Sequence, residues 1–292
     1  MTRKAALVGL VGANIMRSLS PALHEDSFHA HGVSGHYHLI DLDLRPQLML
    51  EQILDAVKTI GFSGINVTFP VKQTIMPMLD EISIDAQRIG AVNTVTISAS
   101  GRTVGYNTDC SGFRRSFEEG LGHDAAEGRV VTLVGAGGAG SAVGTALMDL
   151  GTRHLIVHDV DAARALATVA NLQQHFGTAR VSMASDLRSA IAESAGMVNA
   201  TPIGMLGHPG IPVPVEYLRK DLFVADVIYT PSETALIEAA RRIGCRVLTG
   251  GGMCVHQAAD AFRLFSGLEP DIVRMKQTFE RALAARDLPG QV

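Results

Sequence analysis

Residues 129–150, RVVTLVGAGGAGSAVGTALMDL, constrain this chain more than any other stretch. An apolar, β-branched run from Val130 to Val134 breaks into Gly135-Ala136-Gly137-Gly138-Ala139-Gly140, then continues in the small and apolar residues of a helix. Strand, glycine turn and helix in that order make a dinucleotide-binding fingerprint. The glycines permit a tight turn and close backbone approach, and the helix N-terminus faces the pyrophosphate. A glycine-rich turn can also serve only to pack a helix on a strand. The next strand, residues 154–158, argues for the ligand, because it ends in Asp159, roughly twenty residues beyond the turn, where a ribose-binding carboxylate belongs.

From Val130 onward strands and helices alternate, with further strands expected at 180–183, 197–199, 222–226 and 246–248. Such alternation predicts a doubly wound parallel sheet. Upstream, the pattern reads as strand 5–11, a turn at 12–14, a helix to residue 31 and strand 36–41. It continues as an amphipathic helix 46–60, strand 64–68 stopped by Pro70, and a helix opened by Lys72. Residues 88–97 lead into a strand, and Thr103–Tyr106 returns from the turn at Gly101. This half is an α/β unit without a nucleotide fingerprint. Gly250-Gly251-Gly252 interrupts the later alternation, and two helices follow, 254–265 and 270–286, expected to pack back on the first unit. The fold class is therefore α/β with two domains. Residues 1–108 plus 253–292 form a substrate-binding domain, and residues 109–252 form a Rossmann domain.

At 292 residues the chain is long enough for both, and 47% hydrophobic content against 18% charged supports two cores rather than disorder. A formal net charge of -4 with no basic block gives nucleic acid no footing. No run approaches the ~18 apolar residues of a membrane span. The opening MTRKAALVGLVGANI, basic then apolar, has the outline of a signal peptide. Its apolar run is short, glycine-punctuated and followed by Asn14 and Arg17, so it reads as a buried strand. Cys110, Cys245 and Cys254 have no metal-like spacing and suit a reducing cytoplasm. His24, His29 and His31 share no helical face with an acidic ligand, so no metal is expected.

Polar clusters stand at strand ends and helix starts, where ligand sites form in α/β folds. Ser18 and Ser20, two apart before Pro21, can both donate to one carboxylate; Ser20 can equally cap the helix. In Asn66-Val67-Thr68-Phe69-Pro70-Val71-Lys72, the lysine reads either as a cleft residue or as a solvated surface residue. Asn93 and Asp109 sit in polar turns, and Gln257 lies early in a helix, where an exposed amide is the plain alternative.

In this order the clusters Ser-x-Ser-Pro, Asn-Val-Thr-x-Pro-x-Lys, Gly-Ala-Val-Asn-Thr, Gly-x-Asn-Thr-Asp and Gly-x-Gly-Gly-x-Gly resemble the shikimate dehydrogenase family, as do Asn199-Ala200-Thr201-Pro202-Ile203-Gly204-Met205 and Gln257. The resemblance spans residues 9–279. Within the family it looks like the bacterial quinate/shikimate dehydrogenases, on Pro21-Ala22-Leu23-His24-Glu25, His158-Asp159-Val160-Asp161 and the run 256–265.

The resemblance implies reversible oxidation of a ring hydroxyl of quinate or shikimate, cyclic hydroxy acids, with hydride passing to nicotinamide. By similarity Ser18 and Ser20, helped by Thr68, hold the substrate carboxylate. Lys72, Asn93, Asp109 and Gln257 surround the ring hydroxyls. Tyr229 lies near substrate and cofactor; Thr201, Val227 and Gly250 line the nicotinamide. Lys72 and Asp109 are the implied proton-handling pair. A free lysine, with a pKa near ~10.4, is a poor base at neutral pH. Burial lowers such a value and a neighbouring carboxylate raises it, so the two read as one unit sharing a proton.

The tip His158-Asp159-Val160-Asp161 favours NAD over NADP. Its carboxylate accepts from ribose hydroxyls and repels the extra phosphate, and it lacks the arginine of the Asn-Arg-Ser or Asn-Arg-Thr typical of NADP-linked relatives. Arg164, one helical turn on, matches a residue that stacks near the adenine. Quinate-accepting relatives often carry threonine where Ser20 stands, so preference between the two acids is left open, as is a catabolic or a biosynthetic role. A ligand-sensing homologue would be expected to lose the lysine or its aspartate, and both are here. A monomer or homodimer is expected, the latter through apolar positions around Ile40 and Leu42.

Overall fold

The computed structural model describes residues 5–286. It divides into two compact units, one running to Thr108 and resuming at Val255, the other spanning Asp109–Cys254. The outermost parts of the expected substrate domain, 1–4 and 287–292, lie outside the described residues.

The first unit begins with β1 (Ala5–Gly12), α1 (Ser20–Ala30), β2 (Ser34–Asp41), α2 (Leu50–Ile60) and β3 (Gly64–Val67). It continues with β4 (Glu81–Ile82), α3 (Ile84–Ile89), β5 (Thr94–Ile97) and β6 (Thr103–Tyr106). The six strands lie in the order β2-β1-β3-β5-β6-β4. β1 runs parallel to β2 and β3, whereas β5 is antiparallel to β3 and β6. The apolar run of β1 makes it an inner strand, buried along most of its length, as parallel strands covered on both faces are. A cluster including Val11, Ile53, Leu54, Val57, Ile65 and Val95 packs α2 on the sheet. β2 is an edge strand, but Ile40 and Leu42, expected to be available to a second copy, pack partly against this cluster.

Three local expectations are corrected here, and one strand had not been expected. Ser20 does not cap α1; it is the first helical residue, Leu19 stands before it, and the Ser20 amide donates to Ser18 Oγ at 3.2 Å. α2 begins four residues later than the periodicity predicts, because the amides of Arg45 and Leu48 close turns onto Leu42 and Arg45. The Met49 amide then donates to Gln52 Oε1 at 2.9 Å, satisfying the helix start. Lys72 opens no α-helix: Pro77 has no amide hydrogen to continue one, and the segment closes as turns and a 3₁₀ turn at Met76–Met78. β4 was invisible to periodicity because two residues carry none.

The second unit starts in α4 (Thr108–Gly120), where the chain leaves the first. It then runs β7 (Val130–Val134), α5 (Gly138–Asp149), β8 (His154–His158), α6 (Ala162–Phe176) and β9 (Val181–Met183). After these come α7 (Leu187–Glu193), β10 (Gly196–Asn199), β11 (Phe223–Asp226), α8 (Ala235–Ile243) and β12 (Arg246–Leu248). All six strands are parallel, in the order β12-β11-β10-β7-β8-β9. The order reverses between β7 and β10, and the crevice outside the carboxyl ends of strands at such a reversal is where open α/β sheets bind ligands.

The chain returns to the first unit within α9 (Gly251–Ser266), followed by α10 (Ile272–Arg286). α9 starts at Gly251, earlier than expected: the Cys254 amide already donates to Gly250 O, and Gly252 lies against Ser116, where a side chain would not fit. Phe262 of α9 packs on Phe28 of α1 with ring centroids 5.0 Å apart. Arg274 of α10 grips Asp26 of α1 with two bonds of 2.7 and 2.8 Å, and this guanidinium holds the Asp26 carboxyl below the usual carboxylate range. Among the described residues no helix is long and apolar enough to cross a membrane.

Candidate active site and dinucleotide site

In the first unit, the serine loop is shaped by Asp41 at the end of β2. Its buried carboxylate accepts from the amides of Asn14 (3.2 Å), Ile15 (2.9 Å) and Asp43 (3.0 Å), holding Asn14 at a left-handed φ of 53°. The same loop is tied to the end of β3, because the Ala13 amide donates to Phe69 O at 2.8 Å. Ser18 and Ser20 are both half-buried, and Ser18 Oγ donates to Ser20 Oγ at 3.1 Å. One hydroxyl hydrogen is thus spent within the pair. Thr68 is half-buried, its amide on Val11 O, so it follows β3 beside the β1 end.

Lys72 is half-buried, and its carbonyl accepts the Val92 amide at 2.9 Å, which fastens its turn to the segment leading into Asn93. Asn93 is no simple turn residue. Its Oδ1 accepts from the Thr108 amide (2.8 Å), Thr108 Oγ1 (3.2 Å) and Thr94 Oγ1 (2.9 Å). Its Nδ2 donates to Thr108 Oγ1 (3.0 Å) and Gln257 Oε1 (3.2 Å). The Asn93 side chain is therefore satisfied within the protein at 2% exposure, as a buried amide must be. Gln257 is held by its oxygen and is half-buried. Asp109, next after Thr108, is buried in the first turn of α4.

In the second unit, Gly135 has φ +104° and donates its amide to His158 O at 2.8 Å. A Cβ there would lie 2.7 Å from the Ala200 carbonyl carbon, so only glycine fits. A Cβ on Gly140 would meet the Gly135 carbonyl. Gly137 differs, because nothing lies within 4 Å of a Cβ built on it. That open space borders the start of α5, at Gly138 and Ala139, where unpaired amides and the helix dipole favour a pyrophosphate. The residues present fit a dinucleotide. Gly137→Ala is expected to leave the melting temperature unchanged while weakening NADH binding by at least about tenfold in a fluorescence titration, since the methyl takes ligand space. Unchanged affinity would remove Gly137 from the site.

At the tip of β8, Asp159 Oδ2 accepts the Ala136 amide at 2.8 Å and Oδ1 the Asp161 amide at 2.9 Å. The carboxylate thus pins the glycine turn to the strand, a role the sequence did not disclose, and each oxygen keeps a lone pair for a ribose hydroxyl. Asp161 caps α6 through the amides of Ala163 and Arg164. Arg164 stands 3.8 Å from Asp159 and 3.5 Å from Asp161.

The remaining candidates follow β10, β11 and β12. Thr201 donates its amide (3.0 Å) and hydroxyl (2.7 Å) to Asn199 Oδ1. Gly250 lies against the backbone of Val227 and Ile228, and a Cβ on it would come within 2.6 Å of Ile228 O. Val227 and Tyr229 are half-buried in the loop after β11. Sequence reasoning missed Asp41 and Asp226, two buried acids at strand ends; an acid closing an apolar strand was the available signal.

A family model for the shikimate dehydrogenase substrate binding domain matches residues 10–95. A shikimate dehydrogenase (NADP(+)) of Streptomyces avermitilis is 48% identical over 94% of this chain and 95% of its own length. A quinate/shikimate dehydrogenase (NAD(+)) of Corynebacterium efficiens is 46% identical, over 96% and 99%. The solved quinate dehydrogenase from Corynebacterium glutamicum, in complex with NAD, superposes with a TM-score of 0.87 at 45% identity, covering 95% of this chain and 99% of that one. On these likenesses, which span both units and every motif above, the chain belongs to the shikimate dehydrogenase family.

Proposed function

We propose that the protein oxidises a ring hydroxyl of quinate or shikimate, reversibly, to the 3-dehydro ketone with NAD, its first unit holding the acid and its second the dinucleotide. The observation that carries the cofactor assignment is the tip of β8. There Asp159 and Asp161 present carboxylates, and the nearby arginine, Arg164, lies within ion-pair distance of both rather than free to clamp a phosphate. Bound nicotinamide would accept the hydride. The chain's own residues do the rest, and they mainly position and move a proton. Ser18, Ser20 and Thr68 fix the carboxylate, and the Gln257 amide, oriented by Asn93, fixes a ring hydroxyl. As the carbon–hydrogen bond breaks with its electron pair, the hydroxyl proton passes to the Lys72–Asp109 unit. Thr201, Val227 and Gly250 shape the nicotinamide end, and Tyr229 serves near substrate and cofactor. The three cysteines are buried and form no disulfide, in keeping with a reducing cytoplasm, and the working form is a monomer or homodimer.

The rival with an observation behind it is an NADP-linked shikimate dehydrogenase, since the Streptomyces relative carries that name and the Ser-x-Ser pair is typical of biosynthetic enzymes. Initial rates with quinate and shikimate against both nicotinamide cofactors decide between them; higher kcat/KM with NADP overturns the proposal. A second expectation concerns the serines. Ser18→Ala and Ser20→Ala should each raise the KM of either acid about tenfold, the worth of roughly 1.5 kcal/mol for a donor to a charged group. NADH binding without substrate should not change, and a selective loss there would place the serines in the wrong site.

A further inference from the structure

Asp226 closes β11 with a carboxylate at 2% exposure, and every group hydrogen-bonded to it is neutral. Its Oδ1 accepts from Asn199 Nδ2 at 3.1 Å and from the Ile228 amide at 3.0 Å, and its Oδ2 from Thr234 Oγ1 at 2.7 Å. A buried carboxylate without a cation is costly. Burial accordingly pushes its carboxyl up to about 6, against the pull of the bonds from Thr234, Ile228 and Asn199.

The charge has a directional consequence. An ionised carboxylate only accepts, so Asn199 must turn its NH₂ toward Asp226 and its oxygen the other way. That oxygen receives the Thr201 amide and hydroxyl, and the same NH₂ reaches Ile203 O at 3.2 Å. The Ile203 amide in turn donates to Thr201 Oγ1 at 3.2 Å. On the other side, the Ile228 bond holds the backbone between Val227 and Tyr229, and Gly250 donates to Ile228 O. Thr234 caps α8 through the Ile237 amide at 3.3 Å, so the loop after β11 is anchored at both ends.

We propose that Asp226 is a positioning residue for hydride transfer: through Asn199 and Ile228 it fixes, as one assembly, the two strand-end segments that carry Thr201 and Tyr229. This rests on the dinucleotide reading of the second unit. Asparagine at position 226 would keep the shape but could present either an oxygen or an NH₂, leaving the orientation of Asn199 undetermined.

The folded-state value of about 6 lies above the ordinary 3.8, so ionisation of Asp226 costs stability at pH above 6, a cost absent below the ordinary value. Asp226→Asn at pH 8 should therefore melt no lower than the unaltered protein. In the cofactor-free protein, amide exchange of segments 200–206 and 227–230 should nonetheless rise at least about tenfold while the rest of the second unit is unchanged. NADH should bind at least about tenfold more weakly, with the KM of the acid unaffected. Asn199→Ala, which cuts the bridge but leaves Asp226 on Ile228, should loosen 200–206 and not 227–230; it answers the question if the first variant does not fold. Unchanged exchange in these segments, or a rise spread evenly through the unit, overturns the inference. Absence of NADH binding by the unaltered protein would instead overturn the dinucleotide reading, and the exchange result would stand apart from it.

Discussion

Lys72→Met and Asp109→Asn should each lower turnover at saturating substrates by about 10²–10⁴-fold, the usual worth of positioned acid–base catalysis. The double variant should lose little more than either single one, because residues that act as a unit are not additive. The surroundings keep this test clean. The Lys72 turn is held by its carbonyl on the Val92 amide, a backbone bond that methionine preserves. Asp109 is buried in the first turn of α4, where the helix-dipole share of losing a carboxylate reaches about 2 kcal/mol. A 10²–10⁴-fold loss of turnover represents ~2.7–5.5 kcal/mol. Melting temperatures of both variants, taken with kcat, separate chemistry from folding. Clean additivity would reject the shared proton, and near-native turnover of Lys72→Met would remove the lysine from the mechanism.

The second large effect is cofactor choice. The unaltered protein should prefer NAD over NADP by at least about a hundredfold in kcat/KM, equal to ~2.7 kcal/mol. Asp159 carries two loads, which two variants can separate. Asp159→Asn removes the charge but can still accept from Ala136, so it should narrow the preference chiefly by admitting NADP. Asp159→Ala also releases the glycine turn, so it should narrow the preference while weakening NAD itself. Val160 is 93% exposed, which leaves room for an arginine; Val160→Arg should begin to reverse the preference by supplying a phosphate clamp. Equal specificity for both cofactors in the unaltered protein would sink the assignment.

The parts legible in the sequence are those whose cause is local. β7, the glycine turn and β8 follow from apolar runs and backbone chemistry within about thirty residues, the span of a βαβ unit. The wrong helix at Lys72 also has a local cause, one legible in the sequence but overlooked: Pro77, five residues on. The late start given to α9 has the opposite cause, since Gly252 packs against Ser116, far away in sequence. Asn93 could be nominated by resemblance, but its bonds reach 15 and 164 positions along the chain, to Thr108 and Gln257. Asp41 and Asp226 went unread because their partners include backbone amides of loops, which leave no trace in side-chain identity.

The saturation of the Asn93 side chain also bears on how the protein could be redesigned. The side chain that orients Gln257 also holds, through other bonds, the amide and hydroxyl of Thr108, the residue before Asp109, so a library at position 93 would vary helix entry and the proposed substrate grip together. Most of its members would fail for reasons unrelated to recognition. The half-buried pair Ser18 and Ser20 carries no such double duty beyond its own short loop. Directed evolution toward altered acids should therefore find its gains first in that pair, and accept changes at Asn93 only after Thr108 has been given another partner.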